Sequence, residues 1–182
     1  MSMSADIKKL IRKITGIRAD QEGLSAVEFA LFAGLLVLAL INTADVSIYI
    51  YQRMQVENAT QMGAQAAWTA CDLTQLPATT NCPNFTIRIQ DAVQSTSLGA
   101  QVSLQAGSPS EGWYCVDGTG VLQYISNYNS KPTDCLAVGG TSNPADYVTI
   151  QTTYTYTPLF GNISVASAFT TPITRTTMMR LN

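Results

Sequence analysis

Gly23, Leu24, Glu28 and Phe29 are the residues whose types and spacing could take part in chemistry. They stand where a basic leader meets an apolar run over residues 29–41, so that the carboxylate of Glu28 lies at the mouth of an apolar helix. A charged side chain placed there costs several kcal/mol unless it snorkels to the headgroups or meets a cation. Cutting the chain after Gly23 would create the nearest cation. Leu24 would then begin the protein with a free ammonium, a short polar segment away from Glu28, in the same subunit or in a neighbour. Glycine suits a cleavage pocket because it carries no side chain. The chemistry is a proteolysis done to this chain, not by it.

The arrangement follows the logic of a prepilin. Gly23, Glu28 and Phe29, at this spacing and ahead of this helix, resemble the processing site of the TadE-like pseudopilins, minor components of the tight-adherence (Tad) branch of type IV pili. The tail over residues 147–160, ending in Thr176-Thr177-Met178-Met179-Arg180, looks like that family's closing strands, whereas the cysteine-containing middle is not diagnostic. Major pilins of this branch usually carry Tyr after the Glu and have a very short mature chain. Phe29 and a long downstream domain point instead to the minor, TadE-like role. The resemblance implies a membrane aspartyl prepilin peptidase as the processing enzyme, with a second, related pseudopilin and the inner-membrane pilus platform as partners.

The elements that must position these residues begin with the leader. Of the ten basic residues, Lys8, Lys9, Arg12, Lys13 and Arg18 precede the apolar run. By the positive-inside rule this asymmetry holds the N-terminus in the cytoplasm and sends the rest across. The competing reading is a solvated basic tail. Downstream of the leader acidic residues outnumber basic ones, and no clustered basic face exists to suit a nucleic acid.

Residues 24–41 are interrupted only by Ser25 and Glu28 and give about 27 Å of helix, close to a hydrocarbon core of ~30 Å. That segment can span a bilayer. Two rivals use the same residues: an uncleaved signal anchor, and an ordinary signal peptide cut near Asp45, for which Asn42-Thr43-Ala44 is a poor site. Ala26, Ala30 and Gly34 fall four residues apart on one face, and small residues there let another membrane helix approach. Helical character continues without proline to Ala70, so one helix of about 70 Å is predicted from Leu24 to near Cys71. Its outer half carries Ala59, Gly63, Ala67 and Ala70 on a stripe suited to packing against a sheet. Asp45 and Glu57, on the same helix, read as solvated.

Cys71, Cys82, Cys115 and Cys135 all lie on the translocated side, where an even count reads as two disulfides. Of the three pairings, Cys71 with Cys82 and Cys115 with Cys135 is favoured, because each closes a local loop rich in Pro, Asn and Thr. Metal binding fits poorly: there is no Cys-x2-Cys spacing and no histidine.

A second short helix is expected over residues 85–98, stopping at Gly99. Strands follow over 101–106, then 113–116 and 121–125, the last two joined by a hairpin turn at Asp117-Gly118-Thr119-Gly120. A loop over 126–146 is tied down by Cys135. The clearest strand covers 148–157, with Val148, Ile150, Thr152, Tyr154 and Tyr156 on one face. That face suits a core, or alternatively an adhesive or ligand surface. Ile163, Val165 and Phe169 alternate as a further strand, and residues 173–181 supply a last one.

The absence of histidine removes Ser-His and Cys-His nucleophile pairs. Asp117 with Asp134 or Asp146 could form a carboxylate pair, but turn positions explain these residues more simply. Neither an enzyme nor a cofactor or small-molecule substrate is expected. The sequence thus predicts an α+β, pilin-like fold, a long N-terminal transmembrane helix packed on a small antiparallel sheet. Its parts are a cytoplasmic basic leader over 1–23, the transmembrane part over 24–41, the extracytoplasmic helix over 42–70, and a disulfide-containing domain over 71–182. The expected location is the bacterial inner membrane, with the C-terminal domain in the periplasm. The expected role is in assembly or initiation of a Tad-type adhesive pilus; the alternatives are an unprocessed anchored binding module and a secreted, disulfide-stapled domain.

Overall fold

One helix organises the molecule. A computed structural model describes residues 21–182, and in it α1 runs unbroken from Gln21 to Ala70. Its fifty residues rise about 75 Å. Good helix formers and the lack of any proline carry it through; what ends it lies outside it. The Arg88 guanidinium donates to the Ala70 carbonyl at 3.1 Å, placing a cation at the negative end of the helix dipole. The Cys71–Cys82 disulfide then turns the chain back. The five basic leader residues lie outside the described residues.

A short helix α2 (Ala78–Asn81) and then α3 (Phe85–Gln94) follow the turn. Helix α3 stops at Ser95, short of the expected end at Gly99, because the hydroxyls of Ser95 and Thr96 bond back to the carbonyls of Ala92 and Val93 at 2.7 and 3.1 Å. Such local bonds compete with helix continuation. Its apolar face, Phe85, Ile89 and Val93, is buried against α1.

The five strands are β1 (Val102–Leu104), β2 (Ser110–Val116), β3 (Leu122–Asn127), β4 (Ala145–Tyr154) and β5 (Ile173–Arg180), all paired antiparallel. Strand β4 is the axis of the sheet. One edge is taken along most of its length by β5, and the other is divided, with Ala145 to Thr149 facing β2 and Thr152 to Tyr154 facing β1. Strand β3 completes a hairpin with β2, turned by Asp117.

The core lies where α1 and α3 cover one face of β4 and β5. Val148, Ile150, Thr152, Tyr154 and Tyr156 are all buried, so the expected inward face is the core and not an adhesive surface. The strand itself ends at Tyr154, although Tyr156 keeps its inward direction. Within the apolar layer, Thr60 donates to the Val56 carbonyl at 2.7 Å, which leaves Thr152 to donate to Thr60 at 2.6 Å. Both buried hydroxyls are thereby satisfied.

Gly63 faces α3 as well as the sheet. A Cβ built there would sit 2.8 Å from Val93 Cγ2 and 3.4 Å from Ile89 Cγ2, so the small-residue stripe also admits a second helix. The segment expected as a strand through Ile163, Val165 and Phe169 is instead two 3-10 turns, Gly161–Ile163 and Val165–Ala168, with Ile163 and Val165 exposed. These residues turn because the backbone is held by α1 rather than by a neighbouring strand: Asn42 accepts from the Val165 N–H at 2.7 Å.

Candidate processing and assembly site

Gly23, Leu24, Glu28 and Phe29 sit in the first turns of α1. Leu24 and Glu28, four residues apart, share one helix face, so an ammonium created at Leu24 would lie one turn from the Glu28 carboxylate. Leu24, Glu28 and Phe29 are exposed, and a Cβ built on Gly23 would meet nothing within 4 Å. Among the described residues nothing crowds the Gly23–Leu24 peptide, which lies within helix α1. Among the described residues the ion pair is Arg175 with Glu57, at 3.0 Å, and Glu28 has none. Glu57 is therefore not simply solvated.

Beyond the site the helix is bare. Leu31, Phe32, Leu35, Leu36, Val37, Leu38 and Leu40 are all exposed. In water such a surface would be unstable, and in a bilayer it is matched. The helix is long and apolar enough to cross a bilayer, and the other described residues leave its most apolar stretch uncovered. Ala26, Ala30 and Gly34 lie together on this uncovered part, and a Cβ on Gly34 also meets nothing within 4 Å.

Cover begins one turn after Ile41, at a residue whose role the sequence did not disclose. Asp45 is fully buried, contrary to the expectation that it is solvated. Its carboxylate accepts the backbone N–H of Leu159 at 3.0 Å and of Phe160 at 3.3 Å, and its carbonyl accepts the Tyr156 hydroxyl at 3.3 Å. Burial opposes the charge, but these backbone donors and the Ser164 hydroxyl outweigh it and hold Asp45 below its ordinary value. An acid in a helix otherwise read as solvent-facing gives no periodic signal of a partner more than a hundred residues away.

The four cysteines pair as Cys71–Cys82 and Cys115–Cys135, with Cα atoms 5.7 and 5.6 Å apart. The first fixes the exit of α1, and the second ties the long loop to β2. At the hairpin, Asp117 accepts from the Thr119 hydroxyl and N–H, the Val121 N–H and the Gln123 amide, which together hold its carboxyl far below the usual range. It is a turn residue and does not join Asp134, which accepts from the Leu136 N–H at 3.1 Å.

Asp146 differs from both. It is fully buried on β4, its two carboxylate oxygens accept from no donor, and burial, the nearby Glu111 charge and a hydrogen bond shared with Glu111 push it up to about 7. Glu111, on β2, accepts from the N–H groups of Ala78 and Thr79 at 3.0 and 2.9 Å and so caps α2 from outside. Trp113, opposite Asp146, stacks on Tyr128 and carries Lys131 Nζ 4.7 Å from its ring centroid. The sequence singled out Asp146 but not Glu111, because only the register of β2 on β4 brings them together. No group of three metal-ligating side chains is found among the described residues.

Comparison with known proteins adds one finding. Residues 23–65 match the family of TadE-like proteins. The N-terminal segment of the chain is TadE-like. The match opens at Gly23, takes in Glu28, the bare apolar helix, Asp45 and Gly63, and stops before any strand. The likeness therefore runs along α1, while the sheet lies outside it. No curated protein and no solved structure matches the chain.

Proposed function

We propose that this protein is a minor pseudopilin, inserted with its N-terminus in the cytoplasm, cut after Gly23 by a prepilin peptidase, and used to initiate or prime assembly of a Tad-type adhesive pilus. The observation that carries the reading is α1 itself: a TadE-like helix whose first turns stand uncovered while its outer half is locked into the domain. A rigid rod of this kind transmits the position of a membrane-embedded end to the domain it carries. After cleavage the Leu24 ammonium and Glu28 carboxylate attract each other in surroundings of low dielectric, within one subunit or between two.

The peptidase, a second pseudopilin and the inner-membrane platform are the partners this reading requires. The uncovered Ala26, Ala30 and Gly34 face would admit another helix closely. A cut near Asp45, as ordinary secretion would require, would fall inside α1 beside a carboxylate that holds the tail. Replacing Gly23 with a bulky residue tests the proposal in cells. Gly23→Val is expected to accumulate a precursor heavier by the leader, and normal processing of that variant would overturn the site.

A further inference from the structure

Residues 159–165 present Leu159, Phe160, Ile163 and Val165 outward, with Leu159, Ile163 and Val165 exposed to 68%, 64% and 57%. No charged residue occurs between Asp146 and Arg175. The loop is held against α1 by Asn42 and Asp45, the first turn beyond the apolar run. Four residues of helix rise about 6 Å, which is the depth of the headgroup layer outside the hydrocarbon core.

We propose that this loop is a second membrane contact, seated among the headgroups of the leaflet from which α1 emerges, with Leu159, Ile163 and Val165 reaching the acyl boundary. The inference rests on the reading of residues 24–41 as a bilayer span. Its backbone is prepared for such a place, where unpaired N–H groups are costly. Leu159 and Phe160 donate to Asp45, Val165 to Asn42, and Ala166 to the Ser164 hydroxyl; Ile163 and Ser164 donate to the carbonyls of Phe160 and Gly161. The side chains of α1 at this level conceal their polarity too. Asn42 and Thr43 donate to the carbonyls of Leu38 and Ala39, both at 2.8 Å. With one anchor along the helix and a second beside it, the bilayer would fix the rotation of the domain about α1 as well as its height.

The test places a nitroxide on the full-length protein in phosphatidylcholine–phosphatidylglycerol vesicles. The native cysteines are all in disulfides, so an introduced thiol is the one labelled. Three variants are compared: Ile163→Cys in the loop, Leu35→Cys in the span, and Leu136→Cys, an exposed apolar position elsewhere in the domain. The proposal expects Leu35 to be lipid-embedded and Ile163 to show a severalfold higher ratio of oxygen to nickel-chelate collisions than Leu136. If Leu35 is embedded while Ile163 matches Leu136, the loop contact is wrong and the span stands. A label at Ile163 shielded from both reagents would place the loop against another protein subunit and equally overturn the proposal. If Leu35 itself collides freely with the nickel chelate, the reading of the span fails first.

Discussion

Asp45 Oδ1 accepts the backbone N–H of Leu159 at 3.0 Å across 114 residues of sequence. This bond, and its companion from Phe160, join α1 just past its bare segment to the chain beyond β4 and close the domain at that level. Asp45→Ala is expected to release this loop without unfolding the sheet. Hydrogen exchange should show lost protection at the Leu159 and Phe160 amides, with amides of β4 unchanged; equal loss in β4 would mean that Asp45 supports the whole domain.

Gly63 of α1 leaves no room for a side chain against Val93 of α3. Gly63→Val is expected to cost about 1–3 kcal/mol through overpacking against Val93 and Ile89. Shortening the opposing residue should return part of that loss, so the double variant with Val93→Ala should be more stable than additivity predicts. Chemical denaturation of the four proteins in the cycle measures it. Strict additivity would place the helices further apart than described.

Asp146 gives the domain a pH dependence of definite sign. Its folded value, pushed up to about 7 by burial and by Glu111, lies above the unfolded value near 3.9. The folded state therefore holds more protons between those limits, and stability falls as pH rises from about 4 to about 7. Asp146→Asn is expected to flatten that slope and to be more stable than the parent at pH 8. A thermal melt of the two proteins across this range would show it, and parallel curves would contradict the assignment.

Glu28 should matter after proteolysis and not before it. With the proposed cut after Gly23, Glu28→Gln is expected to leave cleavage intact, because the carboxylate would lie beyond the scissile bond, and to lower the yield of pili sheared from cells, because the new ammonium would lose its counter-charge. A variant that remains uncut would instead assign Glu28 to peptidase recognition.

Long-range structure decided what the sequence could disclose. The rod α1, the β2–β3 hairpin and the inward face of β4 were legible because each rests on a local period or turn. Asp117 advertised its turn through the Asp-Gly-Thr-Gly string, and Gly63 advertised close packing, although not that a helix would do the packing. Residues 163–169 misled because their alternation suits a strand, yet Asn42 takes the Val165 N–H and the N–H groups of Ile163, Ser164, Ser167 and Phe169 bond to carbonyls three residues back. Asp45 and Glu111 were opaque for the same reason: each carboxylate answers to backbone N–H groups on a distant segment.

The most direct test of the account is the mass of the N-terminal peptide of the mature protein isolated from its native membrane. The account predicts a chain beginning at Leu24. A chain beginning at Met1 or Ser2, or near Asp45, would contradict it.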